Sequence, residues 1–364
     1  MEQNVYTADS IRAADAKFEA QKIAFGPIAF QAVRALRDLG ILRKISDAGD
    51  AGLTRQEAAN LTGLTVYGAG VLTEIGLGMK VLRLRPDVKD AGEERFILGK
   101  IGWFLLEDDM TNVNFNFISN VCYEGALRLT ESIREGKPRG LSVFGDRWTT
   151  IYEALASLPE QVQKSWFEFD HFYSDIAFPE ALPLVFADPP RRLFDLGGNT
   201  AKWAVACCRY NPDVQVTIID LPGQTAAAEK NIAEFAGRIA LYPCNVLDET
   251  ARFPSGADAV WMSQFLDCFS LEQVTDILVK IRGAVGPGTD VYVLEPFWDM
   301  QRHEASAYSL QAVSLYFTCM ANGNSKMYRF AELKAAVEKA GFDLKTAHHN
   351  LGSNCYSLLR FRIT

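Results

Sequence analysis

The chain has 364 residues, of which 48% are hydrophobic and 23% charged, and its formal net charge is −8 at pH 7. That length accommodates two domains with cores of their own, and the acidic balance argues against a nucleic-acid partner, which selects for a basic face. No run approaches eighteen consecutive apolar residues, so no membrane helix is expected. The first residues, MEQNVYTADS, lack the basic-then-apolar order of a secretion signal. The seven cysteines are scattered without a CxxC pair, and the vicinal Cys207-Cys208 falls in a helical stretch. Reduced thiols in the cytoplasm are the expectation.

Ala13 to Leu39 reads as helical with a break at Gly26-Pro27, after which Ile28, Phe30, Val33, Leu36 and Leu39 supply an apolar face. Thr54 and Glu57 have capping-box spacing for a short helix. A second helix is expected from about Val66 to Met79, followed by short apolar runs, Val81 to Leu84 and Arg95 to Leu98, around a polar turn. Helix, helix and hairpin is the winged-helix order, so a DNA-binding regulator is one reading. The second helix opposes it, because it and its end carry only Glu74 and Lys80, where phosphate and base contacts call for Arg, Lys, Asn or Gln. From about Asp108 to Pro189 the pattern is helical and rich in aromatics, among them Phe115, Trp148, Tyr152, Trp166, Phe167, Phe169 and Tyr173.

The most informative stretch is Arg192 to Pro222. A short apolar strand ends in Asp195-Leu196-Gly197-Gly198, a helix follows from Thr200 to Tyr210, and a second strand, Val214 to Ile219, ends in Asp220. A β-α-β unit with a glycine turn and a carboxylate at the second strand tip binds the ribose of a nucleotide-like cofactor, the carboxylate accepting from both hydroxyls. A dinucleotide fingerprint would need small residues where Asn199 and Lys202 stand, so NAD and FAD are not expected. Downstream the alternation continues, with strands at Ala240 to Tyr242, Ala259 to Met262 and Val291 to Glu295. Helices are expected at Leu271 to Val285, with Ser270 and Gln273 as capping box, and at Phe330 to Ala340; a closing antiparallel hairpin comes from Asp343 to Ala347 and Tyr356 to Arg362.

The run DLGGNT with IDLP resembles the class I methyltransferases that use S-adenosylmethionine, and within them the small-molecule O-methyltransferase family that includes caffeate and hydroxyindole O-methyltransferases. ALRDLGIL and LTRQEAANLTGL resemble that family's N-terminal dimerisation domain. The resemblance implies an α/β fold. An N-terminal winged-helix-like dimerisation domain (1–105) precedes a helical connector lining the substrate pocket (106–189) and a Rossmann-like seven-stranded catalytic domain (190–364). It also implies a homodimer that moves a methyl group to an oxygen of a small aromatic acceptor, without metal. Cofactor contacts are expected from Asp195, Gly197, Gly198, Asp220, Leu221, Asn245, Val246 and Ser263. Asn199 stands where the family has a third glycine, and Asn tolerates the left-handed backbone. Acceptor contacts are expected from Phe167, Phe317 and Asn322.

The reacting end departs from the family. Leu266-Asp267-Cys268-Phe269 occupies the place of its LHDW motif, so Asp267 stands where a catalytic His is usual, Glu295 is retained, and Met327 replaces a supporting Glu. An ordinary Asp, with a pKa of about 3.9, is a weak base toward a phenol near about 10; apolar surroundings and the Glu295 carboxylate would raise it. His171 is the alternative base and His303 a weaker one. If neither acts, either the acceptor is already ionised, a carboxylate or an acidic phenol for which alignment with the methyl group suffices, or the chain is an S-adenosylmethionine-binding enzyme that no longer transfers methyl.

Overall fold

Pro27 lacks the N–H an unbroken helix would use, and the opening helical stretch divides there. In the computed structural model, which describes residues 6, 9–86 and 94–363, α1 (Ala13–Ala24) ends at Phe25 and α2 (Gly26–Asp38) begins. Gly40, in the left-handed conformation (φ 77°), turns the chain into α3 (Ile41–Asp47). Thr54 and Glu57 close the expected capping box on α4 (Arg55–Thr62), and α5 (Val66–Gly78) follows. β1 (Leu82–Leu84) and β2 (Phe96–Leu98) pair antiparallel; residues 87–93 of the turn expected between them lie outside the described residues. Leu36, Ile41, Leu42, Ile45, Leu82 and Phe96 form the core of this unit. Two further helices, α6 (Lys100–Glu107) and α7 (Asp109–Phe117), complete it, and the chain divides between Ser119 and Asn120. The expected connector is therefore split: its first helix belongs to the N-terminal unit and the rest to the second.

The second unit opens with α8 (Leu129–Glu135), α9 (Ile151–Ala154), α10 (Glu160–Ser174) and α11 (Phe178–Val185). It then alternates: β3 (Arg192–Leu196), α12 (Lys202–Tyr210), β4 (Gln215–Asp220), α13 (Pro222–Ala228), β5 (Ile239–Pro243), β6 (Ala259–Ser263), α14 (Leu271–Ala284) and β7 (Asp290–Glu295). After these come α15 (Glu304–Tyr316), α16 (Phe330–Lys339), β8 (Phe342–Leu351) and β9 (Tyr356–Ile363). The sheet order is β5-β4-β3-β6-β7-β9-β8. The first five strands are parallel and the last two form the expected antiparallel hairpin, β9 against β7. Every residue of β7 is buried, as for a central strand covered on both faces. Asp290 at its start is gripped by Arg360 and Arg362 of β9, at 2.6 to 3.1 Å, which fixes the hairpin's register. Because the strand order reverses at β3, a crevice opens beyond the carboxyl ends of β3 and β6.

Candidate active site

That crevice is a cavity of about 700 Å³. Its floor is the turn after β3. Gly197 (φ 72°), Asn199 (φ 47°) and Ala201 (φ 71°) all adopt left-handed backbone, which explains why α12 starts at Lys202 and not at Thr200. A side chain on Gly197 would stand 2.3 Å from the ring of Phe265, and one on Gly198 would stand 2.7 Å from the Asp195 carboxylate. Ala201, buried as the residue before α12, carries a Cβ in a conformation that costs L-residues about 1–2 kcal/mol. Ala201→Gly is therefore expected to stabilise the protein by about 1 kcal/mol after allowing for glycine's greater unfolded freedom. A chemical denaturation midpoint that falls in this variant contradicts the strain.

At the tip of β4, Asp220 accepts from the backbone N–H of Asn199 (2.9 Å) through one oxygen and from that of Leu221 (2.7 Å) through the other. One lone pair on each oxygen remains for a pair of ribose hydroxyls. Burial nevertheless raises its pKa to about 6, against the lowering effect of these two donors. Asp195 lies beneath the turn, 2% exposed, and burial reinforced by the Asp220 charge raises its pKa to about 8. Leu221, Asn245 and Val246 line the cavity beside Asp220. The Asn245 side-chain oxygen already accepts from Leu247 N–H at 3.0 Å, so only its second lone pair is available to an adenine amino group. Ser263 lies behind the wall with a buried, unpartnered hydroxyl.

The reacting end is built after β6. Gln264 (φ 45°) turns the chain, and Phe265, Asp267, Cys268 and Phe269 line the cavity. Glu295 does not reach the cavity. One of its oxygens accepts from Phe265 N–H (3.1 Å) and Leu266 N–H (3.0 Å), clamping the turn that carries Asp267. Asp267 is 4% exposed; burial raises its pKa to about 7, the Cys268 thiol lowers it somewhat and the Asp170 charge raises it. Glu295 is raised well above the carboxylate range by burial and then by the charge of Asp267. Phe317, Asn322 and Met327 line the same space. Asn322 is committed to its own loop: its amide donates to Cys268 O (2.6 Å) and Ser325 Oγ (2.8 Å), and its oxygen accepts from Asn324 and Ser325 N–H.

Two expectations fail on α10. Trp166, Phe169 and Asp170 face the cavity, whereas Phe167 and His171 do not. At 100° per residue, positions 166, 169, 170 and 173 share one side and positions 167 and 171 are turned away from it. His171 packs instead against Phe167, 3.2 Å from Thr200 Oγ1 and 3.6 Å from Asp175. His303 is exposed at the start of α15, and His349 on β8 meets Ser357 at 2.8 Å. With the histidines elsewhere, Asp267 and Asp170 are the buried carboxyls that line the aromatic end among the described residues. Reasoning from sequence missed Asp170 and Tyr316, and named Tyr152, Trp166 and Phe169 only among the connector's aromatics; the Trp166 indole donates to the Tyr316 hydroxyl at 2.7 Å. The one signal available was a helical face, 166–169–170–173, carrying a single acid among aromatics.

The residues present suit a cationic cofactor. Asn199 and Gln264 line the cavity and each hold a buried side-chain oxygen without a partner, and the carboxyls of Asp170, Asp220 and Asp267 line it too, raised above their ordinary range by burial. A five-stranded parallel sheet closed by an antiparallel hairpin, with this turn and this carboxylate, defines an S-adenosylmethionine-dependent methyltransferase. Residues 127–343 match the family described as the O-methyltransferase domain, and residues 17–88 the Dimerisation2-like domain. The chain belongs to this O-methyltransferase family, and its cofactor is S-adenosylmethionine. It is similar to L-tyrosine C(3)-methyltransferase of Streptomyces lavendulae, 26% identical over 330 residues, covering 89% of this chain and 86% of that one. Acetylserotonin O-methyltransferase of Mus musculus is 23% identical over 322 residues, covering 83% and 79%. Among solved structures, the neocarzinostatin-pathway O-methyltransferase NcsB1, in complex with S-adenosylmethionine and 2-hydroxy-5-methyl naphthoic acid, shares the fold. Its TM-score is 0.64 at 20% identity, with 92% and 96% coverage. No helix among the described residues is long and apolar enough to cross a membrane.

Proposed function

We propose that the chain methylates a hydroxyl oxygen of a small aromatic metabolite, with Asp267 as the general base. One observation carries this reading: a buried carboxyl with a pKa of about 7 stands in an aromatic wall of the cavity whose other end holds Asp220. When bound, the cofactor supplies an electrophilic methyl group; the protein's part is to exclude water, orient the acceptor and take its proton. Trp166, Phe169, Tyr316 and Phe317 provide the flat apolar surface for a ring. Asp195, the glycine turn, Asp220, Leu221, Asn245 and Val246 bind the cofactor, Asp195 and Ser263 acting from beneath the wall, and Glu295 positions the base.

The same phenolate is nucleophilic at its ortho carbon, and a relative that spans most of the chain is named for attack at carbon. Purified protein, S-adenosylmethionine and a panel of phenols and aromatic carboxylic acids, scored for S-adenosylhomocysteine and by NMR of the product, separates the cases. An O-methyl signal is expected. A C-methyl product reassigns the attacking atom, and cofactor binding with no acceptor-dependent turnover points to the non-methylating alternative.

Homodimerisation through the N-terminal unit belongs to the same proposal. Phe25, Ile28, Tyr67, Val71, Trp103 and Phe104 are exposed apolar side chains there. The exposed face of α5 is thus apolar where a DNA-reading helix would be basic, which favours a twin chain over nucleic acid. Sedimentation equilibrium tests it, a monomer at micromolar concentration being the contrary result. A cytoplasmic setting is consistent with seven free thiols.

A further inference from the structure

Asp170 has no part in the scheme above, yet it lies between the two ends of the cavity. Its carboxyl interacts electrostatically with Asp220 on the cofactor side and with Asp267 on the acceptor side. One oxygen accepts from the side-chain amide of Asn199 at 2.8 Å, the single side-chain hydrogen bond found for this carboxyl among the described residues, and the residue lines the cavity. Asn199 is the hinge of this arrangement: its backbone N–H is held by Asp220, its amide by Asp170, and its side-chain oxygen is buried without a donor. Among the described residues no cationic side chain is hydrogen-bonded to these acceptors, although His171 lowers the Asp170 pKa electrostatically. The cationic side chains lining the cavity are Arg128, Lys137 and Arg139, all from one segment, and none is hydrogen-bonded to Asp170. A buried carboxylate with a single hydrogen bond, beside an unpartnered amide oxygen, is costly in a protein interior unless a donor-rich cation arrives with a ligand. Asp220 is matched to ribose, so the group on the far side of Asn199, over the glycine turn, is the amino-acid end of the cofactor.

We propose that Asp170 is a cofactor-binding residue, its second carboxylate oxygen and the side-chain oxygen of Asn199 together taking the α-ammonium group of S-adenosylmethionine. The inference rests on the S-adenosylmethionine reading of the site and adds a residue from α10 to a contact set drawn otherwise from the strand tips. The ammonium carries three N–H donors, and the two oxygens use two of them. Anchoring this group by a helix of the acceptor wall couples cofactor binding to the order of that wall.

Three ligands separate the alternatives by calorimetry: S-adenosylmethionine, S-adenosylhomocysteine, which keeps the ammonium but has no sulfonium charge, and 5′-methylthioadenosine, which has neither. Asp170→Asn is expected to raise Kd at least tenfold for the first two and to leave the third within twofold. Loss for S-adenosylmethionine alone moves the contact to the sulfonium and overturns the assignment. So does unchanged cofactor binding with a raised acceptor KM, which makes Asp170 an acceptor residue, or equal loss for all three ligands, which makes it structural. Asn199→Ala keeps the backbone bond to Asp220 and provides a second test should the first variant fold poorly; it is expected to weaken the same two ligands and spare the third, and a uniform loss or none contradicts the proposal. Wild-type protein that binds none of the three refutes the cofactor reading itself, a result distinct from every failure of the variants.

Discussion

Asp220→Ala is expected to weaken S-adenosylmethionine binding about a hundredfold or more. The carboxylate accepts one backbone N–H on each oxygen, from Asn199 and Leu221, and these two bonds shape the turn and the start of α13 on either side of the ribose position. Hydrogen bonds to a charged acceptor contribute about 1.5–3 kcal/mol each, and alanine removes them together with both ribose contacts. Roughly 3 kcal/mol of lost binding corresponds to somewhat more than a hundredfold. Asp220→Asn keeps a single acceptor oxygen and should fall between the two. Stability should not follow affinity. Burial already holds the Asp220 pKa up at about 6, so the folded apo protein binds this proton more tightly than the unfolded chain. Its ionisation above pH 6 therefore works against the fold, and neutral Asn relieves it. Calorimetric titration beside thermal melts at pH 7.5 checks both halves. Binding within threefold of wild type in the alanine variant would remove Asp220 from the site.

Asp267→Asn should lower kcat by about 10²- to 10⁴-fold, the usual range for removing a general base, with the Kd for S-adenosylmethionine unchanged. The pH profile gives the sharper test. Burial places the Asp267 pKa at about 7, and the neighbouring Glu295 is raised as well. Only the ionised carboxylate can accept the acceptor's proton. Wild-type kcat should thus rise about tenfold per pH unit below 7 and level off above it, and the variant should lose that limb. Glu295→Gln keeps an oxygen able to accept from Phe265 and Leu266 N–H, so it should retain most activity, whereas Glu295→Ala releases the turn. An unchanged pH profile in Asp267→Asn, measured with an acceptor whose own hydroxyl titrates well above 8, excludes Asp267 as the base.

Much of the catalytic unit could be read in the residues because its signals are local. Gly197-Gly198 after an apolar strand, an acid ending the next strand, and the capping box at Ser270 each depend on neighbours within a few positions, and each formed as expected, as did the Thr54 box of the N-terminal unit. Two helices of this unit were not anticipated. Pro222–Ala228 is short and held by Pro at its first turn, and Glu304–Tyr316, running into a π-turn at Phe317, has almost no amphipathic pattern because the apolar Tyr308 and Leu315 are exposed away from its buried stripe. The histidines misled for the opposite reason. His171 lies beside the right residue on the right helix, but one step along a helix rotates a side chain by 100°, and α10 has aromatics on every face. Periodicity then gives no inward direction.

The amino-acid sequence by itself determined the cofactor end, since ribose recognition needs only a strand, a glycine turn and a carboxylate, all within some thirty consecutive residues. What only the tertiary structure decided is the acceptor end. There Asp170 and Asp267, almost a hundred positions apart, meet across one cavity, and their burial together sets how readily each gives up its proton. Proton affinity in a buried site depends on the distance to other charges and on the exclusion of water, and chain folding alone fixes both.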